Sequence, residues 1–67
     1  MVLSVAAMEK LLKSAGAERV SLESAKALQE VLERYAKVVG GRAVTFSKHA
    51  GRKTLKAEDI QLATKEQ

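Results

Sequence analysis

The chain has 67 residues, no cysteine, and 12 lysines and arginines against 8 aspartates and glutamates, for a formal charge of +4. At that length it is one domain at most, burying only about 60% of the surface its unfolded chain exposes. No disulfide or thiolate metal site can make up the deficit, and the single His49 has no clustered ligands beside it, so the missing core has to come from a partner chain. The basic balance favours an anionic partner, nucleic acid before membrane surface. With only Tyr35 and Phe46 as aromatics, the chain lacks the stacking platform of single-strand binders.

Three helical segments follow in order. Ser4 is placed to cap the first. Val5, Met8, Leu12 and Ala15 then recur at helical spacing, Leu11 widens the stripe, and Gly16 suits the left-handed position that ends a helix. Ser21 opens the second segment, with Glu23 in the first turn where the helix dipole favours an acid. Its apolar positions, Ala25, Leu28, Leu32, Tyr35, Val39, Ala43, Phe46 and Ala50, fall at steps of three and four, and Gly51 ends it. Residues 22–50 in one helix would span about 43 Å, long for a globular helix. Two short neighbours from the same chain cannot cover that length. Val31 and Val38 add apolar surface beyond the main stripe, so both features point to a second chain. The third segment is predicted over residues 57–65, with Glu58 and Asp59 in its first turn and Lys65 in its last. Ile60 and Ala63 are expected on its inner face, with Leu62 to one side.

The two connections are alike. One reads Gly16-Ala17-Glu18-Arg19-Val20-Ser21, the other Gly51-Arg52-Lys53-Thr54-Leu55-Lys56. The match registers Arg19 with Thr54 and Val20 with Leu55. It describes either two helix–loop–helix halves sharing one long helix or two ordinary interhelical loops. Between Glu33 and Glu58 no acidic residue occurs, while Arg34, Lys37, Arg42, Lys48, Arg52, Lys53 and Lys56 supply seven of the 12 basic residues. Such a run is either a solvated face or a phosphate-binding surface. Gly40-Gly41 is anomalous, since two glycines inside a helix cost about 2 kcal/mol relative to alanine. Gly40 belongs to a small-residue stripe with Ala36, Ala43, Ser47 and Ala50; Gly41 lies off it, where a local bend or softened helix would account for it.

The stretch His49-Ala-Gly-Arg-Lys-Thr-Leu-Lys-Ala-Glu-Asp-Ile60 closely resembles the second loop and third helix of archaeal histones, and Ala15-Gly-Ala-Glu-Arg-Val-Ser21 resembles their first loop. The helix lengths match, so the resemblance covers essentially the whole chain. It implies an all-α histone fold, with a short, a long and a short helix, as a single domain over residues 1–67. Two chains would interlock head to tail in a handshake dimer, the long helices crossing. Each first loop would then lie beside the partner's second, with Val20 and Leu55 pointing inward. The family's common prolines before the first helix are absent; Ser4 and Ala7 stand in that region. No histone tails are expected.

The resemblance also implies double-stranded DNA as the partner, wrapped and compacted with little sequence specificity, the protein reading backbone and deformability. Arg19 would enter the minor groove with Thr54 bracing it, and Lys53 and Lys56 would contact phosphates. Lys10 and Lys13 would lie near the DNA path, and Ser21 and Arg52 complete the set. Arg52 and Asp59 match an intramolecular clamp, the plain alternative being a weak surface pair. Phe46, His49, Asp59 and Leu62 match positions where two dimers meet in a four-helix bundle, although a lone histidine is more often simply structural. Gly16 matches a site where a small residue lets successive superhelical turns stack, and its helix-ending role explains it equally.

The leading reading is therefore a DNA-packaging homodimer that multimerises on DNA, with a paralogue as an alternative partner. An adaptor dimer that bends DNA locally without multimerising, and a protein-interaction module with incidental charge, are its rivals. No nucleophile–base pair, phosphate-cradling motif or metal cluster argues for an enzyme, and no cofactor is expected. Residues 1–12 have no basic residue ahead of their apolar stretch, unlike a signal peptide, and no run reaches transmembrane length. The expected place is the cytoplasm, on the chromosome, as part of the nucleoid.

Overall fold

The computed structural model describes residues 3–65. Within them lie three helices, α1 (Val5–Ser14), α2 (Leu22–His49) and α3 (Ala57–Lys65), and no strand. The chain divides into two compact units, Met1–Arg34 and Tyr35–Gln67. α1 and the first half of α2 belong to the former, the rest of α2 and α3 to the latter. None of these helices is long and apolar enough to cross a membrane.

In the first unit, the Ser4 hydroxyl accepts the Ala7 N–H at 3.0 Å and so caps α1. The helix ends in a Schellman turn. Gly16 takes φ +117°, its N–H donates to the Lys13 carbonyl at 3.0 Å, and the Ala17 N–H reaches back to Leu12 at 3.1 Å. The Ser21 hydroxyl then accepts the Ser24 N–H at 3.1 Å and donates to the Ser24 hydroxyl at 2.9 Å, which starts α2. Met8 and Ala25 are buried, with Val5, Leu12, Val20, Leu28 and Leu32 half-buried. The Gln29 amide donates to the Leu3 carbonyl and ties residues ahead of α1 to α2.

The second unit repeats the same helix ending. Gly51 takes φ +72°, its N–H donates to Lys48 at 3.0 Å, and the Arg52 N–H donates to Ser47 at 3.0 Å. The loop likeness read from sequence is thus a shared hydrogen-bond pattern at the start of both loops. Val39, Ala43 and Ala63 form the apolar core here, with Phe46 packed against them.

Three expectations need correction. α2 stops at His49, leaving Ala50 outside the helix and exposed. Ile60 is exposed, and the inner face of α3 is Asp59 with Ala63, one turn apart; Asp59 can turn inward because both its carboxylate oxygens accept hydrogen bonds there. Tyr35, placed on the main stripe, is exposed, as is Leu11. The buried apolar residues among those described are Met8, Ala25, Val39, Ala43 and Ala63, three of them alanine. Against this small core, Val31, Tyr35 and Val38 lie exposed at steps of four and three along α2, and Leu22, Val44, Leu55 and Leu62 are exposed elsewhere. An apolar inventory so largely on the outside marks a surface that another molecule can cover.

Candidate nucleic-acid interface

The second loop is organised by three side chains. Ser47, buried in the last turns of α2, directs its hydroxyl to the carbonyls of Arg52 at 3.1 Å and Thr54 at 3.2 Å. Arg52 folds back over the loop: one guanidinium nitrogen donates to the Thr54 carbonyl at 2.8 Å and to Asp59 Oδ2 at 3.1 Å, the other to Asp59 Oδ1 at 2.9 Å. Asp59 Oδ2 also accepts the Lys56 N–H at 2.8 Å, so the carboxylate reaches back to satisfy the backbone donor just ahead of α3. Glu58 lies 4.0 Å from the same guanidinium but is largely exposed. Ser47 and Arg52 together draw the carbonyls of Arg52 and Thr54 inward. The side chains of Lys53, Thr54 and Lys56 are left exposed, which is the disposition phosphate recognition needs.

The Arg52–Asp59 pair is bidentate, a geometry that fixes direction as well as distance. The Arg52 hydrogen bond and then the Lys56 N–H hold the Asp59 carboxyl below the ordinary carboxylate range, against the opposing effect of burial; Asp59 in turn raises Arg52 above its already high value. A carboxyl with a depressed folded pKa contributes stability that is complete above its unfolded value, about 3.9, and is lost as pH falls through the folded one. Asp59→Asn should therefore lower the unfolding midpoint at pH 7. The gap between wild type and variant should stay constant down to about pH 4 and close below it. Thermal unfolding across that range checks this; a gap that widens on acidification would show that Asp59 does not act through its charge.

Arg19, in the first loop, is exposed, as are Lys10 and Lys13 on α1. Ser21 is exposed too, with its hydroxyl engaged in capping α2. Gly16 sits in the left-handed conformation that favours glycine, and a Cβ there would meet nothing within 4 Å. Arg52, expected on the DNA surface, is mostly covered, with its guanidinium directed to Asp59 and Thr54. His49 and Leu62 are exposed, Phe46 is half-buried against the core, and Asp59 is 2% exposed. The structure thus joins Arg52 to Asp59 within the chain.

Ser47 is the residue that sequence reasoning undervalued, taken as one more small residue in a stripe. Its signal was position: it stands four residues ahead of the helix-ending Gly51, where a hydroxyl can reach the carbonyls of the loop that follows.

The sequence matches the model of the family described as histone-like transcription factor (CBF/NF-Y) and archaeal histone over residues 1–64. It is 57% identical over 63 residues to an archaeal histone of Thermococcus zilligii, one of the HAN1 subunits, covering 94% of each chain. To probable archaeal histone 3 of Methanocaldococcus jannaschii it is 44% identical over 61 residues, covering 91% of each. With the short, long and short helices and the two glycine-ended loops, these matches establish that the chain belongs to the family of archaeal histones and histone-like transcription factors.

Proposed function

We propose that two copies interlock into a single histone-fold unit and wrap double-stranded DNA around it, multimerising along the duplex as a packaging protein of the nucleoid. Family membership makes the chain a structural, DNA-binding chromatin protein; the wrapping, the identity of the second chain and the residues involved are our reading. The observation that carries it is the second loop, where Ser47 and Arg52 hold the carbonyls inward and Lys53, Thr54 and Lys56 face outward. The exposed Val31, Tyr35 and Val38 lie about the middle of α2, so a second α2 crossing there would cover them. A like chain serves as that partner. A paralogue would serve equally, and the name of the Thermococcus relative makes it one component of a larger protein. In the dimer, Val20 and Leu55 turn into the paired loops and bring Arg19 beside Thr54 of the other chain. Phe46, His49 and Leu62 form the dimer–dimer surface. Asp59 can join it only through the Oδ1 lone pair left by its bond to Arg52.

Arg19→Ala against Arg34→Ala tests the wrapping. Both remove one charge, and both residues lie outside the buried core. Arg19 in a narrowed minor groove sits in enhanced negative potential. Its loss should weaken DNA binding roughly ten- to hundredfold, the scale of a charged hydrogen bond, and reduce DNA supercoiling. Arg34→Ala should leave supercoiling intact. Equal effects of the two changes would mean that total charge alone matters and would remove Arg19 from the site.

A further inference from the structure

Gly40 and Gly41 stand inside α2, where each weakens the helix relative to alanine. Unlike Gly16 and Gly51, neither has a positive φ, and a Cβ added at either would meet nothing within 4 Å. The chain's own packing therefore gives no reason for glycine at these positions. A second feature falls on the same turn. Thr45 donates its hydroxyl to the Gly41 carbonyl at 3.1 Å, so a side chain shares the acceptor that the helical ladder uses. Such back-bonding slightly destabilises and often bends helices. Gly41 and Thr45 are both exposed to water, which can replace ladder bonds as they open. Val39 and Ala43, on either side of the pair, are buried in the core with Ala63, so the neighbouring turns are anchored.

We propose that Gly40-Gly41 is a built-in soft point of α2, where the helical ladder opens locally while the turns around it stay folded. Only its use rests on the DNA-wrapping reading: a long helix that yields at one turn lets a dimer follow DNA of differing curvature without losing its core. The softness itself is a property of the protein without DNA, and is tested there.

The experiment is residue-resolved amide hydrogen exchange on the full chain without DNA, comparing wild type with Gly40→Ala/Gly41→Ala. In wild type, residues 41–45 should be up to about thirtyfold less protected than residues 28–32, the scale on which two glycines weaken a helix. The double variant should raise protection at 41–45 by up to about thirtyfold, the helix-propensity difference of two glycines, and leave 28–32 unchanged. Equal protection of the two segments in wild type would overturn the proposal. So would a rise spread evenly along α2, since the glycines would then act only on global unfolding. If the double variant is less stable than wild type, the same measurement on Gly41→Ala decides: a rise of about fivefold confined to 41–45 sustains the soft point, and no such rise removes it. The DNA-wrapping reading stands or falls separately, on the Arg19 comparison.

Discussion

Between about 50 and 200 mM salt, the affinity of the dimer for double-stranded DNA should fall by about 10³–10⁵, with little dependence on sequence. That is the loss expected when about 6–10 phosphates are neutralised and their counterions released. In the proposed complex, exposed cations of α1 and the two loops do this. Lys10, Lys13, Arg19, Lys53 and Lys56 are exposed, and the two ion pairs found among the described residues both involve Arg52 instead. With Arg19 assigned to the minor groove, the four lysines per chain give eight per dimer, within the required range before any helix N-terminus is counted. Arg52 stays out of the sum because Asp59 and Thr54 hold its guanidinium. Lys53→Gln would remove up to two phosphate contacts per dimer. The slope of log affinity against log salt should then become shallower by up to about 1.8, at about 0.9 per phosphate, with the loss the same on unrelated sequences. Titrations at four or five salt concentrations on two unrelated duplexes measure both quantities. A shallow slope combined with a sharp preference for one duplex would sink the packaging reading and favour a sequence-reading regulator.

The helices and their punctuation were legible because they rest on local chemistry. Ser4, Ser21, Gly16 and Gly51 each do in the structure what their residue types do elsewhere: hydroxyls accept first-turn N–H groups, and glycines take the left-handed turn. The spacing of Met8, Ala25, Val39, Ala43 and Ala63 located the buried faces for the same reason. What sequence hid was burial made possible by hydrogen bonding. A periodicity argument assigns α3 an apolar inner face and selects Ile60, yet Asp59 lies inward because Arg52 and the Lys56 N–H satisfy its carboxylate. Ser47 escaped notice likewise, since a small polar residue in an apolar stripe carries no sign of the carbonyls it will meet. The same geometry separates two roles that the family resemblance had overlaid on Asp59. Its engagement inside its own chain is visible, so in the proposed contact between dimers Asp59 has less to offer than Phe46, His49 and Leu62.

That shift selects the variant that best tests multimerisation. Phe46 packs against Val39, Ala43 and Ala63, so a charge placed there would damage the fold as well as any dimer–dimer contact, and Asp59 would take the clamp with it. Leu62 is 45% exposed, to one side of the face that buries Asp59 and Ala63. A dimer carries this surface twice, once per chain, so contacts through it can propagate along DNA. Leu62→Glu places a carboxylate on each side of every such contact, where like charges and desolvation both oppose association. The variant should fold, dimerise and bind a short duplex nearly as wild type does. On long DNA the ladder of nuclease-protected fragments should collapse to the length that one dimer covers. Gln61→Glu is the matched control, since it alters net charge equally at the adjacent, exposed position and should keep the ladder. If both variants shorten the fragments alike, the effect is one of overall charge. If Leu62→Glu keeps the wild-type ladder, dimers meet through another surface. If wild type itself protects only single-dimer lengths, the protein bends DNA locally, and the adaptor reading replaces packaging.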